Sequence, residues 1–346
     1  MYLNIPIPKH IPLFGVVLLH GCMAAKNELY LIASKVRTRF GSNVLIIQPT
    51  CRTKTKSVTC SIESQAKKVY KEIQDQLGSN KTTKSLPICI IGYSQGGLVA
   101  CMLGDKYRDQ LNIYGIVTWN APLGGVPVLN KHYNDIQEFI NNAQDGLQLI
   151  TSRTSANIKR NMKLATCVLG IIRRIPLLCL DSGLQDMLPN SSCIQHVRKF
   201  LHESNHGIPC LLIASHENDF RRLFTNLVLD DDNHEKIEAF NKAYAKYITN
   251  SPDGLHDTLI PLKSQLCRED RFNGLTISIK GNSSIVGTIP GRSNVKERIY
   301  GNTVHAGNLI VMDPNLFINS NYIEVTIYAK KICSDIIVFI NEVLIQ

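Results

Sequence analysis

With 346 residues, 44% hydrophobic and 19% charged, the chain can bury a sizeable core, and its composition excludes a disordered or fibrous protein. The formal net charge of +10 invites anionic partners, but the basic residues fall in small scattered groups (Arg52, Lys54 and Lys56; Lys67 and Lys68; Arg173 and Arg174) without interleaved aromatics. A nucleic-acid stripe is thereby excluded, and these groups read as a solvated basic surface that allows transient contact with an anionic membrane.

Eleven cysteines, an odd number with no CxxC pair, stand singly, several inside apolar runs, as buried thiols of a reducing compartment do. The opening stretch MYLNIPIPKHIP has three prolines and no apolar core of signal length, so a cytoplasmic location is expected, with leaderless export also compatible. Residues 13 to 19, LFGVVLL, predict a buried strand that ends in His20-Gly21-Cys22-Met23. Apolar positions at helical spacing (Leu29, Ile32, Ala33, Val36, Phe40) predict a helix over 26–40, stopped by Gly41. A strand over Asn43 to Gln48, a polar basic loop over Pro49 to Thr59 and a helix over Ser61 to Leu77 follow.

The next apolar run, Ile88 to Ile91, has no polar alternation and reads as a strand buried on both faces. It ends in Gly92-Tyr93-Ser94-Gln95-Gly96, and a helix follows, with Gly97 and Ala100 small enough to let it press on its strand. Strand, G-x-S-x-G and helix make a nucleophile elbow, which exposes the Ser94 hydroxyl at the positive end of a helix. Ile113 to Trp119 is a further strand, leading into Asn120-Ala121-Pro122-Leu123-Gly124-Gly125. The alternation of strand and helix predicts a parallel sheet covered on both faces.

On these motifs the chain resembles the α/β-hydrolases of the lipase and esterase type, and G-Y-S-Q-G-G is also similar to the elbow of palmitoyl-protein and acyl-protein thioesterases. The resemblance implies an α/β-hydrolase fold: a mostly parallel central sheet, helices on both faces and a helical cap insertion. In such enzymes the turn after the strand that follows the nucleophile helix is T-P-H-x-G-like; here Pro122 and the two glycines match and Leu123 replaces the histidine. The strand ending in His20-Gly21 implies the Cys22 N–H as one oxyanion donor, with the Gln95 N–H as the other.

Residues 126–207 break the alternation and are expected to form the cap over a core of 1–125 and 208–346. Leu164 to Leu180 within it is apolar, interrupted by Arg173, Arg174 and Pro176, too broken to span a bilayer but suited to lie on one. A strand is expected over Ile208 to Ala214, a helix over Asn233 to Tyr247, strands over Leu275 to Lys280 and Val295 to Tyr300, and a terminal helix bearing Ile332, Ile336, Phe339, Ile340 and Val343. The stretch Asp253 to Ser264 is similar to the D-G-x-V-P-x-x-S acid loop of lipases. Aligning its Ile260-Pro261 portion puts the acid on Asp257, with Asp219 and Asp253 as competitors. His305 is the one histidine after Asp257, and the order Ser94, Asp257, His305 is the order this fold requires.

Two rival constellations are weaker. His202-Glu203-Ser204-Asn205-His206 is a literal H-E-x-x-H, but Gly207 and Pro209 end any helix that would carry both ligands. Cys193, His196, His202 and His206 follow no zinc spacing, so neither a metal nor a cofactor is expected. The function expected is a serine hydrolase cleaving acyl esters, lipids among them, through an acyl-enzyme. An acyl-protein thioesterase with the same triad and a catalytically inactive binding protein of the same fold are the alternatives.

Overall fold

The first apolar run forms β1 (Phe14–Leu19), which pairs in parallel with β2 (Val44–Ile47) on one side and β3 (Ile88–Tyr93) on the other. The structure is a computed structural model and describes residues 12–24, 26–50, 52–78, 85–152, 182–202, 207–220, 231–268, 285–288, 294–301, 305 and 323–345. β4 (Ile113–Trp119), β5 (Cys210–His216) and β7 (Val295–Gly301) extend the parallel sheet, and β6 (Ile285–Thr288) closes its edge antiparallel to β7. The order is β2-β1-β3-β4-β5-β7-β6, with β3 near the middle.

Successive side chains of a strand point to opposite faces, and both faces here are apolar. Val16, Leu18, Cys89, Ile91 and Val117 pack beneath α1 (Tyr30–Phe40) and the last helix, α9 (Ile323–Leu344). Val17, Leu19, Ile88, Ile90 and Ile116 pack on the other face beneath α3 (Ile62–Gly78) and α4 (Gln95–Leu111). The strands are therefore continuous apolar runs because each is buried twice.

Between β2 and α3 the expected polar loop contains a short helix, α2 (Lys56–Thr59). It also holds a large departure from the expected solvated basic surface: Arg52 is 1% exposed. β6, four residues with a glycine, falls in a stretch where no strand was expected, and the strand expected at 275–280 lies outside the described residues.

Within 126–207 three helices are described: α5 (Tyr133–Ser152), α6 (Ser182–Gln185) and α7 (Ser192–His202). Phe139 of α5 packs its ring 4.9 Å from that of Tyr247 and 5.8 Å from that of Tyr244, both on α8 (Asp231–Thr249). Phe200 of α7 lies against Gly104 of α4, where a Cβ would approach it to 2.9 Å. The apolar segment Leu164 to Leu180 and residues 203–206 lie outside the described residues. No described helix is long and apolar enough to cross a membrane.

The described cysteines are free thiols, six of them buried. Burial pushes the thiols of Cys193 and Cys210 up to about 12, so they pack as small apolar groups.

Candidate active site

β3 ends at Tyr93 and the chain reverses through a single residue into α4. The reversal places Ser94 at φ 53° and ψ −127°, a conformation that residues with a Cβ rarely adopt. Two close approaches make room for it. A Cβ on Gly92 would stand 2.3 Å from the Gly96 carbonyl oxygen, and one on Gly96 would stand 2.3 Å from that of Leu19. The Ser94 N–H donates to the Trp119 carbonyl at 2.8 Å, which ties the elbow to β4.

His305, which follows β7 in the chain, meets this serine. Its Nε2 lies 2.9 Å from Ser94 Oγ, and its Nδ1 lies 2.7 Å from Asp257 Oδ2. A proton on Nδ1 serves the carboxylate and leaves the Nε2 lone pair to accept from the serine hydroxyl, so one tautomer satisfies both contacts. Asp257 is fully buried, and its other oxygen accepts from the N–H groups of Leu259 at 3.1 Å and Ile260 at 2.7 Å. The two sequence competitors stand elsewhere. Asp219 Oδ1 accepts from Asn241 of α8 at 3.2 Å, and Asp253 is exposed in the turn before the loop.

The backbone also fixes the imidazole. The His305 N–H donates to the Asp257 carbonyl at 2.6 Å, and the Tyr93 hydroxyl donates to the His305 carbonyl. The Tyr93 ring stacks on the imidazole at 5.6 Å. Burial, with the charges of Glu28 and Asp257 behind it, holds the Tyr93 phenol well above its ordinary pKa, so it remains a donor.

The loop that leaves β1 lies over the elbow: a Cβ on Gly21 would come within 3.2 Å of Ser94 Cβ. Its polar groups are bound one after another. The Gly21 N–H donates to Glu28 Oε2 at 2.6 Å, the Gly21 carbonyl pairs with His20 Nδ1 at 2.8 Å, and the Met23 N–H donates to Ser57 Oγ at 2.7 Å. Burial and the nearby Arg52 charge lower His20 to about 4, so its ring is neutral at physiological pH. The N–H groups on either side of Cys22 are thus engaged by side chains. The Gln95 N–H stands in the first turn of α4, where no intrahelical acceptor exists.

The turn after β4 is pinned to the acid loop. The Gly124 N–H donates to the Ser264 carbonyl at 2.9 Å, and Ser264 Oγ donates to the Gly125 carbonyl at 2.5 Å. Leu123, at the position the lipase resemblance gives to histidine, is fully buried.

The zinc reading gains nothing. His196 Nε2 is 2.5 Å from Asp105 Oδ2, Cys193 is buried, and His206 lies outside the described residues. Among the described residues no group of three or more His, Cys, Asp or Glu is arranged to hold a metal.

The sequence reading passed over four side chains that shape this site: Glu28, Arg52, Ser57 and Tyr93. Tyr93 had a usable signal, since it follows Cys89 and Ile91 on one strand face and must point away from α4. The others sit in a helical turn or a polar loop, where nothing in spacing marks a buried role.

Residues 15–166, which include the β1 loop and the whole elbow, match the family model described as palmitoyl protein thioesterase. The sheet order and the strand-serine-helix elbow are those of the α/β-hydrolase fold. Solved structures similar to this chain include phospholipase PlaB from Legionella pneumophila, at 11% identity and TM-score 0.43 over 73% of this chain and 45% of that one. Lipase BlEst2 of Bacillus licheniformis in its mature form aligns at 12% identity and TM-score 0.39, over 92% and 96% of the two chains. MenH from S. aureus aligns at 12% identity and TM-score 0.35, over 96% and 95%. The chain spans under half the length of the phospholipase. A search of curated proteins gives no match.

Proposed function

We propose that the protein is a serine hydrolase of acyl esters or thioesters, with Ser94 as nucleophile, His305 as general base and Asp257 as the group that orients the imidazole. The observation that carries this reading is the continuous chain of two hydrogen bonds, 2.9 Å from Ser94 Oγ to His305 Nε2 and 2.7 Å from His305 Nδ1 to Asp257 Oδ2.

Ser94 Oγ attacks the acyl carbon while its proton passes to His305 Nε2. Asp257 steadies the resulting imidazolium. The N–H groups of Cys22 and Gln95 take the charge that develops on the carbonyl oxygen. The imidazolium then protonates the leaving alkoxide or thiolate. Water, deprotonated in turn by His305, releases the acid from the acyl-enzyme.

The likeness of residues 15–166 to palmitoyl protein thioesterases supports an acyl chain on sulfur or oxygen as the scissile group. A lipid substrate and contact with an anionic membrane draw on the net charge of +10, and residues 126–207 are read as the cap that selects the acyl chain. A fluorophosphonate probe tests the core of the reading. Folded wild type is expected to be labelled once, at Ser94, and Ser94→Ala to be inert; a folded wild type that stays unlabelled would sink the hydrolase reading and leave the inactive binding protein. Ester and thioester substrates of graded acyl length then separate the two leaving groups.

A further inference from the structure

We infer that Arg52 is a positioning residue for the oxyanion donors: its buried guanidinium joins the β1 loop that carries the Cys22 N–H to the start of α4 that carries the Gln95 N–H. The inference rests on the serine-hydrolase reading above and extends it to a residue that touches no substrate.

Each edge of the guanidinium has a partner. Nη1 donates to the His20 carbonyl, Nη2 to Gln95 Oε1 at 3.0 Å, and Nε to Gln65 Oε1 at 2.9 Å. His20 belongs to one oxyanion arm and Gln95 to the other, so a single planar group sets their separation. Further hydrogen bonds close the ring. Gln95 Nε2 and Gln65 Nε2 donate to the Ser57 carbonyl at 2.8 and 2.9 Å. Ser57 Oγ in turn accepts from the Met23 N–H at 2.7 Å. Arg52, Glu28, His20 and Ser57 thus hold the backbone on both sides of Cys22.

A fully buried guanidinium is a poor choice for stability alone, because well-packed apolar residues serve as well without the desolvation cost. Its rigid fork and fixed positive charge are what a lysine or a leucine lacks. The charge is felt at the loop: it adds to burial in lowering His20, and it opposes burial at the Cys22 thiol. A fixed positive charge beside the point where an oxyanion forms, in a water-poor site, favours the transition state over the neutral ester.

The test compares Arg52→Met, Arg52→Lys and Arg52→Ala with wild type in circular dichroism, melting temperature, kcat and KM for one short-chain p-nitrophenyl ester. With folding retained, kcat is expected to fall about 100-fold in Arg52→Met while KM stays within a few-fold, the signature of a lost transition-state interaction. Arg52→Lys should recover part of the rate, and methylguanidinium added to Arg52→Ala should recover more than added sodium chloride does. A folded Arg52→Met with kcat within threefold of wild type overturns the inference, as does a loss carried entirely by KM. Should the arginine variants fail to fold, Gln95→Leu removes the Nη2 acceptor, together with the Nε2 donor to the Ser57 carbonyl, and leaves Arg52 in place; it is expected to lower kcat by tenfold or more, and an unchanged kcat overturns the inference. Fluorophosphonate labelling of wild type comes first: no labelling at Ser94 defeats the hydrolase reading and this inference together, whereas labelling with unaffected variants defeats this inference only.

Discussion

The Tyr93 hydroxyl donates to the His305 carbonyl, so the residue before the proposed nucleophile holds the backbone of the proposed base. Strand β3 thereby delivers Ser94 and, from its opposite face, anchors the histidine that Ser94 faces. Tyr93→Phe keeps the ring stacking and removes the donor to the His305 carbonyl. The expected result is a kcat reduced roughly tenfold with a stable fold, measured by steady-state kinetics beside thermal melting. Activity equal to wild type would show that the Asp257 backbone contact alone fixes the loop.

Asp257 and Asp219 make opposite predictions. Asp257→Asn offers the imidazole an amide instead of a carboxylate, which permits the wrong tautomer and removes the countercharge, and a kcat loss of about 10⁴-fold is expected. Asp219→Asn alters a contact to Asn241 on α8 and should leave kcat within a few-fold. Exchange of the two results would move the acid to Asp219.

The elbow tolerates no side chain at its first glycine. A Cβ at Gly92 would meet the Gly96 carbonyl oxygen at 2.3 Å and the Gly97 nitrogen at 2.6 Å, and both are backbone atoms that cannot rotate away. Gly92→Ala is expected to yield little folded protein in expression and size-exclusion trials. Recovery of a folded Gly92→Ala protein with native melting would mean that the strand and helix stand further apart than described.

Two buried histidines give stability a pH slope. Burial and the Arg52 charge hold His20 at about 4, and burial with the nearby His216 holds His256 at about 3, against 6.5 for an exposed imidazole. In the window below 6.5 the unfolded chain takes up protons that the folded chain refuses, so stability falls as pH falls, until about 4 for His20 and about 3 for His256. Each group contributes up to about 1.4 kcal/mol per pH unit. Urea midpoints at pH 7.5, 6 and 5 should decline, and the decline should be shallower in His256→Asn, whose amide oxygen can still accept from the Thr258 N–H. Equal slopes in the two proteins would rule out His256 as a source.

Much of the frame was legible because burial on two faces leaves a plain mark in sequence. Val16-Val17-Leu18 and Cys89-Ile90-Ile91 have no polar alternation, and the chemistry of the fold collects at the ends of such runs. Ser94 was expected at the end of one such run, Asp257 from the likeness of its loop to a lipase acid loop and His305 from chain order; the structure brings the three side chains into contact. What escaped depended on tertiary context. β6 has four residues and a glycine, too few to show a period, and it exists as a strand by pairing with β7. Arg52 looked like its neighbours Lys54 and Lys56. Its burial follows from the amides of Gln65 and Gln95, which stand 13 and 43 residues further along the chain and converge on it only after folding.

The strand order has a consequence for synthesis. The strand and helix that hold Ser94 and the loop that holds Cys22 belong to the first 111 residues, whereas His305, the proposed base, follows β7, which pairs with β5 only after residue 295 has emerged. A ribosome therefore exposes a chain whose serine already stands at a helix terminus but has nothing to take its proton. On the proposed mechanism, chemistry begins only when the last parallel strand docks, so a nascent or prematurely terminated chain would not act on the acyl groups around it.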